Sequence, residues 1–216
     1  MKHYKTAIFD LDGTLLDTLA DLTAAVNHTL TQFHYPTHST EEVRGFVGNG
    51  LHKLMERSIP NGLDNPDCED AFVELKTYYT AHCKEKTAPY PGILELLEEL
   101  RSKGVSLAIV SNKNDAAVKE LAHEFFGDFI SVAIGETPPI QRKPSPDTVF
   151  AAVKELNCDI NDCIYIGDSE VDLQTAANAK IDCISVSGGF KGRVFLEKEG
   201  APHIVDTPKE ILAFFV

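Results

Sequence analysis

The chain has 216 residues, 43% of them hydrophobic and 25% charged, with a formal net charge of −13 at pH 7. That length suffices for one large domain, or a core plus a smaller module, in a composition ordinary for soluble globular proteins. The acid excess excludes nucleic acid and anionic membrane surfaces as expected partners, and no apolar run approaches the roughly 20 residues of a membrane helix.

At the N-terminus, MKHYKTAIFD holds only a brief apolar stretch that ends in acid, so it does not read as a secretory signal. Together with five scattered cysteines and no Cys-x-x-Cys pair, this points to reduced thiols and a cytoplasmic location. The eight histidines form no metal-binding pattern. Five short segments are nearly continuous in hydrophobicity: TAIFD (6–10), SLAIVS (106–111), ISVAI (130–134), CIYIG (163–167) and DCISV (182–186). Parallel strands buried on both faces read this way.

After the first strand, the next is not expected until about residue 105, and the interval carries only helical signals. Leu19, Leu22, Val26, Leu30 and Phe33 line one face, and Leu51, Leu54, Met55 and Ile59 line another. A third helix is expected over about 67–86. So many helices exceed a crossover and predict a helical domain inserted at 16–87, leaving 1–15 and 88–216 as the core. Farther on, Val118, Leu121, Ala122 and Phe125 predict a helix from Asn114, and Ser145-Pro146 reads as an N-cap followed by proline in the first helical position. Alternating strands and helices make the fold class α/β, with a parallel sheet and right-handed crossovers.

Ligands in such sheets sit beyond the carboxyl ends of the strands. There stand Asp10-Leu11-Asp12-Gly13-Thr14, Ser111-Asn112-Lys113, and Gly167-Asp168-Ser169-Glu170-Val171-Asp172, with Arg142-Lys143-Pro144 opening a helix. Crowded carboxylates need a cation, and hard oxygen ligands suit Mg²⁺, held by Asp10, Asp168 and the backbone carbonyl of Asp12. Mg²⁺ would let Asp10 approach phosphorus as a nucleophile, and Asp12 could pass a proton to the leaving oxygen and later take one from water. Gly13 would let the backbone turn close to the phosphate, Ser111 and Asn112 would bond its oxygens, and Lys143 would offset charge developing there. Each part also has a plain structural use. Thr14-x-x-Asp17 and Ser169-x-x-Asp172 both fit capping boxes, so Asp172 can serve a helix start, the site, or both. Lys113 reads as a solvated surface lysine. In Gly48-Asn49-Gly50, the glycines can end one helix and begin another, or the amides at Asn49 and Gly50 can meet an anionic group, with Arg44, His52 and Lys53 nearby.

Taken together, the four segments resemble the four motifs of the haloacid dehalogenase superfamily across nearly the whole chain. The resemblance implies a Rossmann-like core with an inserted helical cap, and Mg²⁺-dependent phosphoryl transfer through an aspartyl-phosphate on Asp10. It makes Asp12 the acid/base, gives Ser111 and Lys143 the phosphate and Asp168 the metal, and sets Asp172 behind them near a metal-bound water or Lys143. Aspartate at position 12 disfavours the dehalogenase branch, and Leu22 stands where the sugar-phosphate mutase branch carries a histidine. Asp17-Thr18-Leu19-Ala20-Asp21-Leu22, Gly45 to Leu51, Gly188 to Arg193 and Glu199 to Asp206 resemble phosphoglycolate phosphatases. The expected activity is therefore hydrolysis of a small phosphorylated metabolite, 2-phosphoglycolate first. Pyrophosphate and sugar phosphates are the alternatives, and a receiver-type phospho-signalling module is the reading from another class.

Overall fold

The computed structural model describes residues 3–215. It divides into two compact units, one made of the chain up to Leu16 with the chain from Pro89 onward, the other of Asp17–Ala88.

The chain enters the first unit as β1 (Thr6–Phe9) and leaves through β2 (Leu16–Asp17). In the second unit follow α1 (Leu19–Gln32), α2 (Thr40–Phe46), α3 (Gly50–Ser58) and α4 (Cys68–His82). β3 (Ala88–Pro89) returns the chain and makes a two-stranded sheet with β2. The core then continues through α5 (Ile93–Ser102), β4 (Ser106–Asn114), α6 (Asp115–Phe126), β5 (Val132–Glu136), α7 (Asp147–Leu156) and β6 (Cys163–Gly167). It closes with α8 (Glu170–Ala179), β7 (Asp182–Val186), α9 (Arg193–Lys198), β8 (Ile204–Val205) and α10 (Pro208–Ile211).

Six strands form one parallel sheet in the order β5-β4-β1-β6-β7-β8, so β1 lies between β4 and β6. Period-two alternation sends successive side chains to opposite faces. Ala7, Phe9, Leu107, Ile109, Ile164, Ile166 and Ile184 fill one apolar layer, and Ile8, Ala108, Val110, Cys163, Tyr165 and Cys183 the other. Burial on both faces is why these strands read as unbroken apolar runs. Truncating Phe9 to alanine here would cost about 3–5 kcal/mol. Phe9 pairs with Ile109 and with Ile166, so Asp10 and Asp168, just past β1 and β6, and Ser111, within β4, lie at the same end of the sheet.

Several local expectations are corrected. Asp17 does not close a capping box with Thr14: α1 starts only at Leu19, whose N–H donates to Asp17 Oδ1 at 3.2 Å. Ser145 is not an N-cap; α7 begins at Asp147 with Pro146 in the cap position, and Ser145 Oγ bonds Asp147 instead. In α6 the buried apolar residue of the last turn is Phe126 rather than Phe125. The helix expected over 67–86 ends at His82, and α2, with a complete Ser39–Glu42 capping box, carried too few apolar residues to register as periodicity. α2 ends at Phe46 and α3 starts at Gly50, with Asn49 in the left-handed region (φ 66°), so the Gly-Asn-Gly run does separate two helices.

Candidate active site

Lys143 is the centre of the site. Its ammonium is buried and donates to Asp10 Oδ1 at 2.8 Å, to Asp172 Oδ1 at 2.8 Å and to the Tyr165 hydroxyl at 3.0 Å. An ammonium has three N–H groups, and these three acceptors match them. Burial pushes the Lys143 pKa down, but the Asp10 and Asp172 carboxylates outweigh it and hold the ammonium above its ordinary value. The loop that delivers it is braced by Asn112: Nδ2 donates to the Lys143 carbonyl at 3.0 Å, and the Lys143 N–H donates to Oδ1 at 2.6 Å. Asn112 thus spends its amide on the lysine's backbone, a use its sequence position did not suggest.

Asp10 follows β1 directly, its N–H donating to the Ile166 carbonyl at 2.8 Å. Burial and the Asp172 charge raise its carboxyl to about 7 despite Lys143. Asp168, after β6, is raised well above the usual carboxylate range by burial and by Asp172 and Asp10; its Oδ2 accepts from the Phe190 N–H at 2.7 Å. Burial pushes Asp172 up too, but Lys143, Ser169 and Tyr165 together hold it below its ordinary value. Oδ1 of Asp172 meets Lys143 and Tyr165, and Oδ2 accepts from Ser169 Oγ at 2.6 Å and the Ser169 N–H at 3.1 Å. The capping box of α8 is complete as well, so one carboxylate caps a helix and holds the lysine.

The ligand oxygens of Asp10, Asp168 and Asp172 lie within 4.8 Å of one another, all three residues buried. Three hard, buried anionic donors against one ammonium fit a metal ion, which would lower their mutual repulsion. Asp172 has both oxygens engaged, whereas the contacts above take one oxygen each of Asp10 and Asp168.

Gly13 has φ +87°, and a side chain there would begin 2.6 Å from Asp168 Oδ2. Gly189 packs its Cα against the Gly13 carbonyl and Asp168, leaving no room for a Cβ. A side chain at Gly13 is therefore excluded by the Asp168 carboxylate and the Phe190 ring.

Asp12 and Lys113 form a pair apart from Lys143. Lys113 Nζ donates to Asp12 Oδ1 at 2.8 Å, with side chains 10% and 22% exposed. The expectation of a solvated Lys113 is thus corrected: pairing of β4 with β5 shifts register between Val110 and Asn114, and such irregularities re-aim side chains. Ser111 Oγ accepts from the Lys113 N–H at 3.1 Å. Tyr165 was the other omission. A buried phenol needs a partner, so one tyrosine in the otherwise aliphatic strand CIYIG was the available signal.

In the helical unit, Asn49 and Gly50 open α3. The neighbouring cations are each engaged with acids of the same unit: Arg44 with Glu41 at 2.9 Å, His52 with Glu69 at 2.9 Å, and Lys53 with Glu56 at 2.5 Å.

A parallel α/β core carrying these acids and this lysine at one sheet end is a hydrolase core with a helical insertion. The model of the haloacid dehalogenase-like hydrolases matches residues 7–186, and the chain belongs to that family. It is 35% identical over 96% of its length to a phosphoglycolate phosphatase of Pseudomonas syringae pv. syringae, covering 78% of that protein. It is 32% identical over 93% of its length to one of Neisseria meningitidis serogroup A, covering 88%. Among solved structures, a Lactobacillus delbrueckii subsp. bulgaricus protein provisionally assigned as a phosphoglycolate phosphatase matches with a TM-score of 0.94 and 40% identity, over 100% of this chain and 99% of that one. A haloacid dehalogenase-like hydrolase of Streptococcus pneumoniae matches with a TM-score of 0.88 and 26% identity, over 99% of each chain. Among the described residues, no helix is long and apolar enough to cross a membrane.

Proposed function

We propose that this protein is a cytoplasmic, Mg²⁺-dependent phosphatase that hydrolyses 2-phosphoglycolate through an aspartyl-phosphate on Asp10. The observation that carries the reading is the cluster of Asp10, Asp168 and Asp172, two of them, Asp10 and Asp172, paired with one buried ammonium, with Asp12 two residues from the nucleophile. The substrate follows from similarity to the phosphoglycolate phosphatases of Pseudomonas and Neisseria.

Asp10, Asp168 and the Asp12 carbonyl would hold the ion, which supplies charge neutralisation between carboxylate and phosphate. Asp10 then attacks phosphorus while Lys143 keeps its carboxylate oriented and offsets charge on the phosphoryl oxygens. Asp12 gives a proton to the departing glycolate oxygen, and afterwards takes one from the water that cleaves the acyl phosphate. Ser111, held by the Lys113 N–H, and the Gly13 turn complete the phosphate cradle, with Asn112 keeping Lys143 in place. Asp172 sets the direction of the lysine.

Purified protein with Mg²⁺ is to be tested for phosphate release from 2-phosphoglycolate, pyrophosphate and a panel of sugar phosphates. Preference for 2-phosphoglycolate supports the reading, and absence of phosphate release from every compound defeats it. Phosphate that stays on Asp10 for minutes would instead identify a receiver-type module.

A further inference from the structure

Lys113 is placed more deliberately than phosphate binding requires. Lys143 already directs its three N–H groups at Asp10, Asp172 and Tyr165, so its charge serves the nucleophile. Lys113 brings a second ammonium to the other aspartate, 2.8 Å from Asp12 Oδ1, in a half-buried position. Its backbone is fixed on both sides. The Lys113 N–H donates to Ser111 Oγ at 3.1 Å, Asn112 is bonded both ways to the Lys143 backbone, and Asn114 caps α6 by accepting from the Ala116 N–H at 3.1 Å. A lysine on a free loop sweeps a wide volume; this one delivers its charge to one spot.

We infer that Lys113 is a specificity-determining residue that recognises a carboxylate on the leaving group, so that the enzyme's substrates are phosphate esters of short hydroxy acids. The inference rests on the proposed role of Asp12 as proton donor to the leaving oxygen. That role requires the leaving oxygen within about 2.6–3.2 Å of the Asp12 carboxylate. A cation touching the same carboxylate then lies within ion-pair range of an anionic group one carbon from that oxygen. A neutral leaving group gains nothing there. An anionic one, entering a rim that already carries Asp10, Asp12, Asp168 and Asp172, would be repelled without a cation on its own side.

The test compares 2-phosphoglycolate with 2-hydroxyethyl phosphate, which has the same chain length and a hydroxymethyl group in place of the carboxylate. Both need a protonated leaving oxygen, so both depend on Asp12, but only one carries the second charge. With Mg²⁺ present, the unmodified protein should favour the carboxylate ester in kcat/KM by about 10–100-fold, the range one hydrogen bond to a charged group supplies. Lys113→Met should collapse that ratio towards one, and Lys113→Arg should restore most of it. Release of p-nitrophenol from its phosphate ester, which leaves without a proton, confirms that each variant is folded and can form the phosphoenzyme. Equal loss on both alkyl esters in Lys113→Met, with the ratio kept, would overturn the inference and reduce Lys113 to an aligner of Asp12, while the phosphatase reading stands. An unmodified protein that prefers 2-hydroxyethyl phosphate, or hydrolyses neither ester, defeats the phosphoglycolate reading itself before any variant is made.

Discussion

Asp21 in the helical unit and Asp10 in the core are both buried carboxylates, at 3% and 8% exposure, and the protein neutralises them in opposite ways. Asp21 sits in the first turn of α1 and, among the described residues, accepts from the neutral donors of Lys86 and Thr87. The Lys86 N–H reaches its two oxygens at 3.1 and 3.0 Å, and the Thr87 N–H and hydroxyl both lie 2.9 Å from Oδ2. These bonds tie residues some 65 positions apart and sit at the positive end of a helix. Asp10 instead faces an ammonium on one side and two competing carboxylates on the other. A carboxylate satisfied by amides is a structural tie. One set against its own kind and a cation is poised for an incoming charge, and that contrast separates a scaffold acid from a reacting one.

Substituting the two residues should therefore divide activity from stability. Asp10→Asn should lower turnover at least about a thousandfold, as expected for loss of a covalent nucleophile, with no fall in melting temperature. Asp21→Ala leaves the amides of Lys86 and Thr87 without their acceptor and should cost about 2–4 kcal/mol of stability. Its kcat/KM, read well below the transition, should stay within a few-fold of the parent. Calorimetry beside steady-state kinetics checks both. If Asp10→Asn melts earlier than Asp21→Ala, or retains turnover near the parent level, the contrast between the two acids is wrong.

Much of this contrast was legible in the sequence on the core side only. Strands at Cys163–Gly167 and Asp182–Val186 stand where their apolar runs put them, because burial on both faces leaves a continuous hydrophobic signal. Asp10, Lys143, Asp168 and Asp172 could be named because each lies in a segment between a strand and a helix, or in a helix's first turn, of a parallel α/β pattern. The tie made by Asp21 could not, since its partners at 86–87 come some 65 residues later and no local pattern connects them. Lys113 was hidden for a related reason: a register shift inside β4 decides where its side chain points, and register breaks leave little trace in hydropathy. The two short strands at Leu16–Asp17 and Ala88–Pro89 are too brief for any periodicity.

Proton and metal should compete at Asp10. With its carboxyl raised to about 7 from an ordinary 3.8, the folded chain binds a proton more tightly than the unfolded one. The stabilisation this gives is complete below the unfolded value and disappears as pH rises through about 7. Metal-free protein should accordingly lose melting temperature between about pH 4 and 7 and level off above, and Mg²⁺ should restore it at the upper end. Below pH 7 the apparent Mg²⁺ affinity should weaken by up to about tenfold per pH unit, as one displaced proton requires. Titration calorimetry at pH 6, 7 and 8 measures this directly. Asp21→Ala should keep that pH dependence, and Asp10→Asn should flatten it in part, because Asp168, also raised, still gives up a proton to the ion; an affinity flat across the range in the parent would mean that Asp10 is no ligand.

The smallest effect belongs to the residues that hold each acid's partners. Tyr165→Phe keeps the ring among Ile8, Val110 and Cys183 but removes the hydroxyl that donates to Asp172 at 2.9 Å and accepts from Lys143 at 3.0 Å. The ammonium keeps Asp10 and Asp172, so the fold should lose only about 1 kcal/mol. Turnover should fall about 5–10-fold, because a lysine with one acceptor fewer is less well aimed at the phosphoryl oxygens. Thr87→Val is the matching change in the helical unit, deleting one neutral donor to Asp21 at a similar cost in stability. There the kinetics should not move. Double substitution of Tyr165→Phe with Asp172→Asn should be clearly non-additive in kcat, since both act through one ammonium. Thr87→Val combined with Tyr165→Phe should simply add. Additivity in the first pair would mean that Tyr165 packs beside Lys143 without orienting it, and the core acids would then differ from Asp21 in charge alone.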